Sequence, residues 1–183
     1  MIRLFLTGCT REGEHETGIA LAKYAIRTVF GAEPLFARTD RGKPYVTGMD
    51  GIFFSIAHSH GLCLAVVSDR EIGADIEQNR PGGDRLNRLA ARFFTPDEAA
   101  YVREDIEPRF YEIWTAKESF IKYTGEGLAR PLPSFSVLES ELQFTHFRTG
   151  EHTICVCSDE KAVLPPLYID KNKIIEEKTE ENS

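Results

Sequence analysis

Two short runs place carboxylates and lysines at spacings that suit one metal ion and one phosphate group. The first is IGADIE at Ile72–Glu77. Read as a strand, it turns Ile72, Ala74 and Ile76 to one face and Gly73, Asp75 and Glu77 to the other. Asp75 and Glu77 then stand about 6–7 Å apart at Cα, two strand rises. Paired carboxylates at that spacing can share a hard divalent cation, because Mg²⁺ takes oxygen ligands and few of them from protein. Taken alone, the same run also reads as a strand with an ordinary polar face.

The second run is WTAKESFIK at Trp114–Lys122. Around it, Phe110, Ile113, Trp114, Phe120 and Ile121 are spaced for one helical stripe, with Trp114 in the core. Lys117 falls in the middle of that stripe. An ammonium there must snorkel or find an anion, since an unpaired buried charge is costly. Glu118 lies at the stripe's edge, with Lys122 one turn further on. Such an i, i+4 pair is ordinarily a solvated ion pair of little worth. Flanking an inward lysine, it points instead to a site at the edge of the stripe.

The elements that must position these groups can be read along the chain. IRLFL at Ile2–Leu6 is a first strand, and Thr17–Phe30 a helix ended by Gly31. Ile52–Ile56 and Leu62–Val67 are buried strands around the polar segment AHSHG. A tight turn at Ser68–Glu71 predicts a hairpin between Leu62–Val67 and Ile72–Glu77. Asn79–Asp84 is a loop and Arg85–Phe93 a short helix. Thr95, Pro96 and Glu98 spell a helix start with a capping box, so Glu98 reads as structural. Arg109–Thr124 is the main helix, stopped near Gly125 and Gly127. Phe135–Leu138, Leu142–Arg148 and His152–Ser158 read as strands. Lys171–Ser183 is polar and charged and reads as a frayed or disordered tail.

IGADIE, FFTPDE at Phe93–Glu98 and WTAKESFIKYTGEGL at Trp114–Leu128 resemble the motifs of the 4′-phosphopantetheinyl transferases. Their order and spacing resemble the surfactin-synthetase-activating type, as do GKPY at Gly42–Tyr45 and FFSIAHSH at Phe53–His60. The resemblance runs from Gly42 to Val137. It implies an α+β fold of two similar αβ lobes forming a pseudo-dimer in one chain, hence a monomer with its site in the cleft between lobes. The expected division is an N-terminal lobe over 1–68, a C-terminal lobe with the metal site over 69–168, and the charged tail over 169–183.

The resemblance also implies a reaction. Coenzyme A, as co-substrate, gives its 4′-phosphopantetheine arm to a serine of an apo acyl or peptidyl carrier protein and leaves 3′,5′-ADP. Asp75, Glu77 and Glu118 are then expected to bind Mg²⁺, with Mn²⁺ as the alternative ion. Glu118 is expected to act as base, directly or through a water. Lys122 would stabilise phosphate or help proton transfer, and Lys117 would reach a coenzyme A phosphate. His58 and Ser59 would contact the 3′-phosphate or the pyrophosphate, and Lys43 the nucleotide end. One departure bears on donor choice. Glu16 follows His15 where the family pattern has an arginine, so discrimination against 3′-dephospho-coenzyme A is expected to be weak unless Arg3, Arg11 or Arg38 compensates.

Composition agrees with this reading. The 183 residues suffice for one large domain or two small lobes, and 42% hydrophobic with 28% charged is ordinary for a globular protein. A net charge of −7 without a Lys/Arg run argues against nucleic-acid binding. No apolar run suits a secretory signal or a membrane span, so a cytoplasmic location is expected. Cys9, Cys63, Cys155 and Cys157 fit no zinc spacing and read as small packing residues in a reducing compartment. Two other classes can share these motifs: a non-catalytic module that binds coenzyme A or a carrier protein, and a metal-dependent phosphohydrolase.

Overall fold

Strand alternation decides the layering. The computed structural model describes residues 1–161 and 164–174. In the first strand, β1 (Ile2–Gly8), Leu4 and Leu6 turn to one side and Phe5 to the other. Phe5 packs with Leu21, Ala22, Ala25 and Ile26 of helix α1 (Glu14–Phe30). Leu4 and Leu6 face a second sheet, where Ile76, Ile154 and Val156 meet them. Helices α2 (Gly83–Phe93), α3 (Pro96–Glu104) and α4 (Ile106–Thr124) cover that second sheet's far side. The order is helix, sheet, sheet, helices, an α+β architecture.

A small hairpin of β2 (Leu35–Arg38) and β3 (Pro44–Thr47) flanks the first sheet. That sheet contains β4 (Phe53–Ser59) and β5 (Leu62–Ser68), in the order β4-β5-β1-β9. The short β9 (Leu167–Tyr168) runs parallel to β1, and Ile169 and Ile174 pack beside α1, so the segment after β8 returns to the first sheet. The second sheet has the order β6-β8-β7, all antiparallel: β6 (Gly73–Gln78), β7 (Gln143–Thr149) and β8 (His152–Ser158).

Two sequence expectations fail for clear reasons. The hairpin between Leu62–Val67 and Ile72–Glu77 does not form. β5 is a central strand, with β1 on one side and β4 on the other, so it has no edge to offer β6. β6 pairs with β8 instead. Its other edge meets β4 through side chains: the Ala74 N–H donates to Ser55 Oγ (3.0 Å) and the Gln78 N–H to Ser59 Oγ (3.1 Å). Nor is Phe135–Leu138 a strand. Its backbone is satisfied by a buried ion pair described below. Of the charged tail, residues 171–174 are helical with Ile174 buried, and the rest lies outside the described residues.

No helix among the described residues is long and apolar enough to cross a membrane.

Candidate active site

α4 lies against β6 because Gly73 has no side chain. A Cβ there would run into the Ser119 carbonyl and the Tyr123 backbone. Glu118 and Lys122 each precede one of those two residues, so the close approach sets them over Asp75. Lys122 Nζ donates to Asp75 Oδ1 at 2.7 Å. Asp75 is only 7% exposed, and its Oδ2 is buried with no hydrogen-bond partner. Burial first, and the Asp75 charge second, raise the Glu118 carboxyl above its ordinary range. The same two causes raise Glu77, against the pull of Ser59 and Lys122.

Three carboxylates thus face one lysine. An orphaned buried carboxylate oxygen costs free energy unless something completes it, and the excess negative charge suits a divalent cation. The donor set therefore fits Mg²⁺. In this conformation no group of three or more His, Cys, Asp or Glu among the described residues converges in coordinating geometry.

Lys117 is not part of this cluster. It is fully buried and paired with the fully buried Glu98 at 2.7 Å. Its other donors go to the carbonyls of Leu132 (2.9 Å) and Phe135 (2.5 Å), and an ammonium has only three. Burial, opposed by Glu98, lowers its pKa. Glu98 in turn accepts from the N–H groups of Thr95 (2.9 Å) and Val137 (2.8 Å), closing the capping box and pinning the chain after α4. The expectation that Lys117 reaches a substrate phosphate therefore gives way to a structural role. Its inward position was read correctly; the anion it finds is Glu98. Trp114 is half-buried, stacked on Phe110 with ring centroids 5.7 Å apart.

Lys122 also lines a cleft of about 280 Å³, walled by His15, Arg38, Arg41, Lys43 and His58 with apolar Ile19, Phe54 and Ile56. Lys43 is held by Glu71 and by the Tyr123 carbonyl (2.6 Å). His58 Nδ1 lies 3.1 Å from Glu14. Of the arginines considered from sequence, Arg38 lines the cleft and Arg3 and Arg11 do not. Arg41 was missed, although it stands directly before the GKPY run. Ser59 is not in this cleft. It is buried beneath Glu77 and donates to Glu77 Oε2 at 3.0 Å.

A second cleft of about 270 Å³ is lined by Glu77, His60, Arg80, Arg85, Leu89, Tyr111 and Trp114 among others. Lys122 lines the first cleft and Glu77 the second.

Residues 71–166 match the family model of the 4′-phosphopantetheinyl transferase superfamily. The chain belongs to this superfamily. A 4′-phosphopantetheinyl transferase of Bacillus subtilis is 36% identical over 136 residues, covering 69% of this chain and 59% of that protein. The 4′-phosphopantetheinyl transferase HetI of a Nostoc strain is 35% identical, covering 64% of this chain and 55% of HetI. The 4′-phosphopantetheinyl transferase Sfp of Bacillus subtilis strain 168 is 36% identical, covering 66% of this chain and 55% of Sfp. The chain thus spans somewhat more than half the length of these relatives. Within the superfamily match lie Asp75, Glu77, Lys117, Glu118 and Lys122; Lys43, His58 and Ser59 precede it.

Proposed function

We propose that this chain transfers the 4′-phosphopantetheine group of coenzyme A to a serine of an apo acyl or peptidyl carrier protein and releases 3′,5′-ADP. The observation that carries the proposal is the Asp75–Lys122 pair, with its orphaned Oδ2, flanked by two more carboxylates, with Lys122 lining one cleft and Glu77 another. The cationic first cleft suits the nucleotide and pyrophosphate of coenzyme A, with His58 and Lys43 as contacts. Ser59 acts through Glu77 in this reading. The second cleft suits the acceptor. Beside it, Arg85, Arg88 and Arg92 form an exposed stripe on α2 at i, i+3 and i+7. None of the three forms an ion pair among the described residues, which supports an acidic face on the acceptor.

Asp75, Glu77 and Glu118 would hold Mg²⁺, or Mn²⁺ in its place; bound there, the ion neutralises pyrophosphate charge. Glu118 accepts the proton of the acceptor serine, directly or through a water. Its raised pKa makes it the better base for that step. The serine oxygen bonds to the phosphorus of the phosphopantetheine phosphate as the bond from that phosphorus to the 3′,5′-ADP oxygen breaks. Lys122 offsets charge on the phosphate or assists the proton transfer. We read α1 with its sheet, and α2–α4 with theirs, as two lobes of a pseudo-dimer divided near residue 68, which favours a monomer.

Mass spectrometry of an apo-carrier incubated with the protein, coenzyme A and Mg²⁺ tests this. A gain of one phosphopantetheine is expected. Binding without mass gain would leave a non-catalytic module, and cleavage of coenzyme A without a carrier would leave a phosphohydrolase.

A further inference from the structure

β4 and β5 are joined by a two-residue turn, His60-Gly61, with Ser59 and Leu62 paired across it. Both turn residues have positive φ, +41° and +87°. Turns of that kind favour Asn-Gly or Gly-Gly, and His60 is the one non-glycine residue at positive φ among the described residues. A histidine here forgoes the backbone preference of glycine or asparagine. What it makes in return is a hydrogen bond: His60 Nδ1 lies 3.1 Å from Ser59 Oγ.

The Ser59 hydroxyl has three neighbours and one proton. The Gln78 N–H donates to it at 3.1 Å. Glu77 Oε2 stands 3.0 Å away and, while ionised, can only accept. The hydroxyl proton therefore goes to Glu77, and the remaining contact requires Nδ1 of His60 to carry a proton. With Glu77 ionised, the chain runs His60 Nδ1–H to Ser59 Oγ–H to Glu77 Oε2. His152 braces the same serine by a contact of 3.1 Å from Nε2 to the Ser59 carbonyl. Glu77 Oε2 is thus committed, while Oε1 makes no hydrogen bond among the described residues. His60 also lines the second cleft alongside Glu77.

We propose that His60 is a positioning residue: through Ser59 it fixes the Glu77 carboxylate, leaving Oε1 for the work of the site. The assignment of that work rests on the function proposed above; the hydrogen-bond chain does not.

Three variants, two spectroscopic readouts, thermal melting and steady-state kinetics test the idea. Long-range ¹H–¹⁵N spectra of the ¹⁵N-labelled protein, taken where His60 is neutral, are expected to show the Nδ1–H tautomer. Ser59→Ala should abolish that preference. The Glu77 side-chain carboxyl ¹³C signal should shift in His60→Gly and return toward wild type in His60→Asn, which tolerates positive φ and keeps an N–H donor. His60→Gly should melt no lower than wild type, because the turn prefers glycine. Its kcat should nonetheless fall about three- to tenfold, the rate equivalent of one hydrogen bond, with KM for coenzyme A unchanged and kcat recovered in His60→Asn. An Nε2–H tautomer, or a Glu77 signal unmoved by His60→Gly, overturns the proposal. Full kcat in His60→Gly overturns it as well. If the wild-type protein transfers nothing, the functional reading fails, and the two spectroscopic readouts still decide whether His60 positions Glu77.

Discussion

Gly73 and Ser119 meet where strand β6 and helix α4 cross, and no side chain fits between them. A Cβ on Gly73 would collide with the Ser119 carbonyl and with the backbone of Tyr123. Backbone cannot swing away as a side-chain tip can. Gly73→Ala is therefore expected to cost about 2–4 kcal/mol of stability and to move Glu118 and Lys122 off Asp75. Urea denaturation and the transfer assay check this together. Stability within about 0.5 kcal/mol of wild type would mean that α4 is not seated by this contact.

The Glu98–Lys117 pair makes a different prediction. Both groups are fully buried, so removing one leaves a buried charge and several backbone partners unmet. Lys117→Met and Glu98→Gln should each cost about 3–5 kcal/mol, and the double variant less than the sum. Because Lys117 has no donor left for a ligand, KM for coenzyme A in whatever folds should stay within about threefold of wild type. A large KM rise in a folded Lys117→Met protein would return this lysine to the substrate.

The alternation in IGADIE separated Ala74 and Ile76 from Gly73, Asp75 and Glu77, because a two-residue period has only two outcomes; the structure shows the first pair in the core and Gly73 against α4. The capping box at Thr95 and Glu98 was equally local and equally legible. The partner of Lys117 was not. It comes from another helix 19 positions away, and only the packing of α3 on α4 joins them. The missing β5–β6 hairpin has the same cause. Strand pairing depends on which edges remain free, and β1 and β4 had already taken both edges of β5. The resemblance implies Ser59 as well as His58 at the donor phosphates, yet one step along β4 reverses the face, and Ser59 lies under Glu77.

Metal removal is expected to act through Asp75. Its unpartnered Oδ2 is destabilising until a cation completes it. Millimolar Mg²⁺ should raise the melting temperature of the wild-type protein by mass action, and EDTA should reverse it. Asp75→Asn should lose that response, while Asp75→Ala and Glu118→Ala should lose transfer by about 10²–10³-fold or more with the fold intact. Equal Mg²⁺ stabilisation of wild type and Asp75→Asn would move the ion elsewhere.

His152 gives the pH dependence. Burial lowers its pKa below the ordinary 6.5, outweighing its contact with the Ser59 carbonyl. The folded protein then binds fewer protons at this site than the unfolded chain, so stability rises with pH. The contribution is complete above about 6.5 and is lost as pH falls through that value toward the lowered one. The urea midpoint should therefore drop between pH 7.5 and 5.5 more in wild type than in His152→Gln, which cannot titrate. Equal drops would assign the acid sensitivity to other groups.

The arginine stripe on α2 tests the acceptor side without touching the carboxylates. Arg85, Arg88 and Arg92 are exposed on one helix face in a protein of net charge −7. Arg92 stacks over Phe93 at 5.0 Å. Charges of this kind steer a partner and set its register more than they hold it. The double substitution Arg85→Glu, Arg88→Glu should raise KM for an acidic apo-carrier at least about tenfold at low salt, and leave kcat and KM for coenzyme A near wild type. The defect should shrink as salt rises toward 0.5 M, because ions screen the wild-type advantage. A neutral carrier should be affected less than an acidic one. If carriers of both kinds keep their wild-type KM at low salt, the acceptor approaches from another face, and the second cleft loses its assigned occupant while the carboxylate chemistry stands.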